Sequence, residues 1–135
     1  MIVHSFHFGG DKRLFPVVQH VVGGVESFVE ISQNPALLNI DGLSSLSFTG
    51  NVYITDNTSL ENLEGFLGLS AAASLRVSGN SSLSTLSGLR NLSSVDFDLS
   101  LTDNSILSQC QGLGLLLGAP ETSAEGVGGV IDIQG

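Results

Sequence analysis

From Val29 to Leu107 the apolar positions of this chain recur on one template, apolar-x-apolar-x-x-Asn-x-x-Leu, with a period of about 23 residues. The paired apolar positions are Val29/Ile31, Val52/Ile54, Leu75/Val77 and Leu99/Leu101. The asparagines are Asn34, Asn57, Asn80 and Asn104, and a leucine follows each at Leu37, Leu60, Leu83 and Leu107. The first two intervals are equal, and the third is longer by one. A fixed period of this size marks stacked repeats, because no single unit buries its own apolar face. The pattern therefore predicts an all-β solenoid, a parallel β-helix of about six coils.

Each paired position belongs to a short alternation of apolar and polar residues. In Val52-Tyr53-Ile54-Thr55, Val52 and Ile54 face the core while Tyr53 and Thr55 face out. Stacked in register, such segments form a parallel sheet with roughly 4.8 Å between neighbours. After the strand, Leu60, Leu63, Phe66 and Leu69 recur at every third position, as do Leu83, Leu86, Leu89 and Leu92. A period of three fits a 3₁₀-like path along a second wall. The buried corner asparagines are expected to form a ladder, pairing backbone groups of the coils above and below that burial would otherwise leave unpaired. The residues just before them, Gln33, Asp56, Gly79 and Asp103, vary as a solvent-facing turn would. Gly42, Gly65, Gly88 and Gly112 close the units and are expected to allow a bend or a positive φ.

The register extends beyond the regular units. One repeat back from Val29 and Ile31 stand Phe6 and Phe8, and one repeat back from Asn34, Leu37 and Ile40 stand Asp11, Leu14 and Val17. At the other end, Ile131-Asp132-Ile133 repeats Leu99-Ser100-Leu101 after a longer gap, so the last interval carries an insertion near Leu115 to Gly126. One domain over 1–135 follows, with a degenerate first coil at 1–22, regular repeats at 23–113, and the insertion and last strand at 114–135. Both ends expose coil edges. That predicts a piece of a longer protein with flanking repeats, or self-association at the open ends.

Charge narrows the partners. The formal net charge is −9, and the four basic residues, Lys12, Arg13, Arg76 and Arg90, form no basic cluster. Neutralising a phosphate backbone needs clustered Lys and Arg, so neither nucleic acid nor an anionic membrane is an expected partner. No stretch is long enough to insert into a bilayer, and residues 1–8 do not read as a signal peptide. The single cysteine, Cys110, stands where other units carry Ile40, Leu63 and Leu86, and reads as a small buried hydrophobe.

The segments VYITDNTSLENLEGFLGL, LRVSGNSSLSTLSGLRNL and VGGVIDIQG resemble receptor L-domain repeats over roughly residues 20–135. That resemblance implies a leucine-rich-repeat-like, right-handed β-helix and a binding role outside the cell or at its surface. Ordinary leucine-rich repeats are similar but place the leucine two residues after the asparagine; here it comes third. Receptor L domains carry disulfides and cysteine-rich neighbours, and this chain has neither. The bacterial surface and secreted members are therefore the nearer likeness.

Candidate chemistry is sparse. The chain has no phosphate-binding glycine loop, nucleophile elbow or His-Glu-x-x-His motif. Asp96 and Asp98, two apart on an expected strand face, are the carboxylates a polysaccharide-cleaving β-helix would use. Asp56, Asp98 and Asp103 offer hard oxygen ligands without the spacing of a calcium repeat, and His4, His7 and His20 form no zinc motif. No metal or other cofactor is expected. Of three Asn-x-Ser/Thr sequons, those at Asn57 and Asn80 coincide with the ladder, leaving Asn91 as the accessible one.

What remains is the outer sheet face. One column reads His7, Glu30, Tyr53, Arg76, Ser100, Asp132, and its neighbour reads Gly9, Ser32, Thr55, Ser78, Thr102, Gln134. Tyr and Arg are frequent anchors of binding surfaces. The expected binding face is Glu30, Tyr53, Arg76 and Ser100 with Ser32, Thr55, Ser78 and Thr102, and its expected partner is a protein or a glycan. The expected function is a non-catalytic binding or adhesion module; the alternatives are a structural spacer in a longer repeat protein and a polysaccharide-acting enzyme.

Overall fold

The structure is a computed structural model that describes residues 3–6, 28–108, 111–118 and 127–134, with backbone alone for 3–6 and 48. Among the described residues seven strands form one parallel sheet: β1 Val3–Phe6, β2 Phe28–Ser32, β3 Phe48–Thr55, β4 Ala71–Ser78, β5 Ser94–Val95, β6 Leu99–Thr102 and β7 Ile131–Gln134. The main path runs β1-β2-β3-β4-β6-β7, and the short β5 pairs with β4. Each strand thus lies beside the equivalent strand of the next repeat.

The paired apolar positions meet across the sheet. Val29, Val52, Leu75, Leu99 and Ile131 form one row, and Ile31, Ile54, Val77, Leu101 and Ile133 form the other. From β2 to β6 these residues are buried. On β7, which among the described strands pairs with β6 alone, Ile131 and Ile133 are 40% and 44% exposed. Opposite the sheet run the period-three residues, with 3₁₀ turns at Asp41–Leu43, Glu64–Phe66, Ser87–Leu89 and Gln111–Leu113. Their amides reach back three residues, as in Phe66 N to Leu63 O and Leu69 N to Phe66 O, both 2.9 Å. Leu60, Leu63, Phe66 and Leu69 line the core with 0% exposure, and so do Leu83, Leu86, Leu89 and Leu92. A short α-helical turn, α1, covers Gly114–Leu117.

The corner asparagines carry a directional chain of hydrogen bonds. Asn57 Oδ1 accepts from Asn34 N, Asn80 Oδ1 from Asn57 N, and Asn104 Oδ1 from Asn80 N, each at 3.1 Å. The amide nitrogens of Asn57, Asn80 and Asn104 donate to Ile31, Ile54 and Val77 carbonyls at 2.8–2.9 Å. The side chains of Asn57, Asn80 and Asn104 thus reach backbone groups of the preceding unit, and Asn57 and Asn80 are tied to the next unit both through their backbone N and through their side-chain amides, the latter at 3.2–3.3 Å.

Three expectations need correction. The first concerns register at the start. Phe6 lies opposite Ile31 and His4 opposite Val29, so the first interval exceeds the repeat spacing by two. Ser5, not His7, stands beside Glu30. A shift of two leaves a strand's alternation intact, so the pattern of apolar residues does not distinguish the two registers. Residues 7–27, and with them His7, Gly9 and the expected first corner, lie outside the described residues, as does Cys110.

The second concerns the glycines. Gly65, Gly88 and Gly112 are not at positive φ. They sit inside the 3₁₀ turns, where an added Cβ would stand 1.8, 1.8 and 1.6 Å from the carbonyl oxygens of Ile40, Leu63 and Leu86. Their role is to let one turn press against the backbone of the turn before it. The left-handed positions are Gln33, Asp56, Gly79 and Asp103, with φ of 57°, 58°, 70° and 57°, directly before the ladder asparagines.

The third concerns the one longer interval. Ala72 pairs with Val95 at an offset of 23, and Leu75 pairs with Leu99 at an offset of 24. The extra residue therefore falls within Asp96–Asp98, a bulge that separates β5 from β6. Asp96 and Asp98 lie in this bulge and not within a strand, because one residue too many cannot follow the ladder of β4.

Candidate binding face

The outward positions of β2 to β7 form two ranks. One runs Glu30, Tyr53, Arg76, Ser100, Asp132, and the other Ser32, Thr55, Ser78, Thr102, Gln134. Neighbours within a rank are one strand apart, roughly 4.8 Å. All eight residues expected to form the face thus stand on one surface of one sheet. Their hydrogen bonding is uneven along the ranks. At one end Ser32 Oγ donates to Glu30 Oε1 at 3.1 Å, and at the other Gln134 Nε2 donates to Asp132 Oδ1 at 2.7 Å. Between them, among the described residues, the side chains of Tyr53, Arg76 and Ser100 make no hydrogen bond or ion pair within the chain. The middle of the face holds polar groups left for solvent or a partner.

That middle is concave. A depression of about 210 Å³ is lined by Tyr53, Ser74, Leu75, Arg76, Asp98 and Ser100. Tyr53 is half-buried and Arg76 is exposed. Asp98 arrives from the bulge, and its place is fixed at two points. Its carbonyl accepts from Leu75 N at 2.9 Å, and its Oδ1 accepts from Val130 N at 2.9 Å. Room for this comes from Gly128 and Gly129. A Cβ on Gly128 would stand 2.1 Å from Asp96 O, and one on Gly129 would stand 2.4 Å from Asp98 Oδ1.

Sequence reasoning missed Ser74 and Asp98 as members of this site. It grouped Asp98 with Asp96 as a carboxylate pair, whereas the structure sets Asp98 beside Arg76 and Tyr53. The available signal was the one longer interval, since an inserted residue must be accommodated by a bulge somewhere in that unit.

The other candidate groups are scattered. Among the described residues, no three His, Cys, Asp or Glu side chains stand close enough together to hold a metal ion. Asp56 and Asp103 sit in turns two units apart. Asn57 and Asn80 are fully buried, leaving no room for a glycan, while Asn91 is exposed and donates from Nδ2 to Leu67 O at 2.7 Å. No described helix is long and apolar enough to cross a membrane. Comparison with protein-family models, characterised proteins and solved structures finds no match to this chain.

Proposed function

We propose that the chain is a non-catalytic binding module, a right-handed solenoid of the receptor L-domain type, that presents its outer sheet face to a protein or glycan. The observation that carries this reading is the middle of the outer rank. Tyr53 and Arg76 stand side by side there, without side-chain partners among the described residues, above a depression that Asp98 enters from an adjacent bulge. A tyrosine ring on a rigid strand anchors a partner at low ordering cost, and the guanidinium beside it offers several hydrogen-bond donors. The resemblance to receptor L domains supports a location at the cell surface or outside the cell. The second edge of β7, which no described strand pairs, suits a flanking repeat or another subunit.

The test is the double substitution Tyr53→Ala and Arg76→Ala. A partner captured by the wild-type chain should bind this variant at least about tenfold more weakly, since two central anchors are worth more than about 1.4 kcal/mol together. Ser84→Ala, on the wall away from the sheet face, should change nothing. Unchanged binding by the double variant would remove the face from consideration.

A further inference from the structure

We infer that the depression at Tyr53, Arg76 and Asp98 is a subsite for one uncharged hexose unit of a glycan; this rests on the sheet face being the binding surface. Size is the first argument. At about 210 Å³ the depression is smaller than the roughly 300–1,000 Å³ of sites for drug-sized ligands, so it takes a single small ring. Its chemistry is the second. It combines an acceptor-only carboxylate (Asp98), a donor-only guanidinium (Arg76), hydroxyls that do either (Ser74 and Ser100) and one aromatic ring (Tyr53). A sugar ring presents the complement of that set. Its adjacent hydroxyls each donate and accept, and its C–H face packs on an aromatic ring.

Charge selects among sugars. Arg76 is the one cation in its rank among the described residues; Asp98 lines the depression with it, and Glu30 and Asp132 stand in the same rank two strands away on either side. The chain as a whole carries a formal charge of −9. An acidic sugar would meet one favourable charge and several repulsive ones, whereas a neutral hexose meets neither penalty. The site is also built before any ligand arrives. Asp98 Oδ1 is held by Val130 N at 2.9 Å, which leaves Oδ2 as the carboxylate oxygen for a ligand hydroxyl. Ser74 and Ser100 hydroxyls make no hydrogen bond among the described residues. A carboxylate held in this way lowers the ordering cost of binding.

The experiment is a titration of the isotopically labelled chain with neutral methyl hexopyranosides and, in parallel, the matching hexuronides, followed by amide NMR. A neutral hexoside should shift the amides around Tyr53, Arg76, Asp98 and Ser100, with an affinity that does not change between low and high salt. Tyr53→Ala and Asp98→Asn should each weaken it roughly tenfold or more. Asp98→Asn keeps Oδ1 for the Val130 amide, and a spectrum as dispersed as the wild type's shows that each variant is folded. The inference is overturned if no neutral hexoside binds, if the hexuronides bind more tightly, or if both variants bind as the wild type does. A purified protein ligand whose binding is lost in the Tyr53→Ala, Arg76→Ala double variant, with no sugar bound, would overturn the hexose and leave the face standing. Hexoside shifts mapping to the opposite wall would overturn both.

Discussion

Replacing Asn80 with leucine tests whether the corner ladder holds the repeats together. Asn80 Oδ1 is the acceptor for Asn57 N, and both residues have 0% exposure. Asn80 Nδ2 donates to the Ile54 carbonyl at 2.9 Å and to the Ser78 carbonyl at 3.1 Å. Leucine keeps the branched shape and removes every polar atom. The Asn57 amide would then be buried without its acceptor, at a cost of ~1–3 kcal/mol. The carbonyl losses are milder, because the Ser78 oxygen still accepts from Asp56 N at 3.0 Å. They add ~0.5–1.5 kcal/mol together. The added apolar contact returns part of this, so the expected net loss is about 1–4 kcal/mol. That is a large share of the ~5–15 kcal/mol by which domains are stable. Urea unfolding followed by circular dichroism measures it, and hydrogen exchange at the Asn57 amide locates it. Asn62→Ala is the control: Asn62 Oδ1 caps only the exposed Glu64 amide at 3.0 Å, and its loss should cost no more than ~1 kcal/mol. If Asn80→Leu unfolds at the wild-type urea midpoint and the Asn57 amide exchanges no faster, the ladder is not a source of stability.

Four further outcomes follow from particular contacts. Gly88→Ala places a methyl 1.8 Å from the Leu63 carbonyl oxygen and should destabilise by ~1–3 kcal/mol or more in urea unfolding, whereas Gly114→Ala, with nothing within 4 Å, should be neutral or slightly stabilising. Gln33→Gly, at φ 57°, should raise the melting temperature, since a left-handed non-glycine residue costs ~1–2 kcal/mol. Thr49→Val should stabilise by ~1–2 kcal/mol in the same assay, because the Thr49 hydroxyl is buried without a hydrogen-bond partner among the described residues. Asn80→Asp sets a carboxylate against the Ile54 and Ser78 carbonyls, which raises its folded pKa above the unfolded value of ~3.9; relative to wild type the variant should be destabilised at neutral pH and recover as pH falls through that raised pKa.

Much of the sheet and its opposite wall was legible from spacing alone. A period of two placed Val29/Ile31 and their equivalents inward, and a period of three placed Leu60, Leu63, Phe66 and Leu69 along the 3₁₀ wall, because side-chain direction is tied to backbone path. Elsewhere two structures met the same pattern. Phe6 suits either Val29 or Ile31 as partner, since a slip of two residues keeps an alternating strand alternating. Gly88 satisfies either a positive φ or a close approach, and only the position of the Leu63 carbonyl decides between them. The depression was illegible for another reason. Asp98 reaches it through a bulge, and an interval of 24 in place of 23 reveals that a residue was inserted without saying where the chain absorbs it.

The repeat itself explains where binding chemistry can reside. An inward position must fit the units on either side of it, so Val29, Val52, Leu75 and Leu99 are all aliphatic. The turn glycines meet the backbone of the unit before them, and the ladder asparagines meet both neighbours. None of these can change alone without unbalancing another unit. The outer rank has no such restraint. Its members Glu30, Tyr53, Arg76, Ser100 and Asp132 share strand position and nothing else. Variation confined to positions that stacking does not constrain is where a repeat can carry recognition at little cost to its stability. The bulge extends that freedom by one step. It breaks register for one unit, is accommodated by Gly128 and Gly129 in the next, and delivers a carboxylate to the middle of the outer rank. A flat sheet becomes locally concave there, and a concave surface with fixed polar groups can distinguish one ligand from another where a flat one cannot.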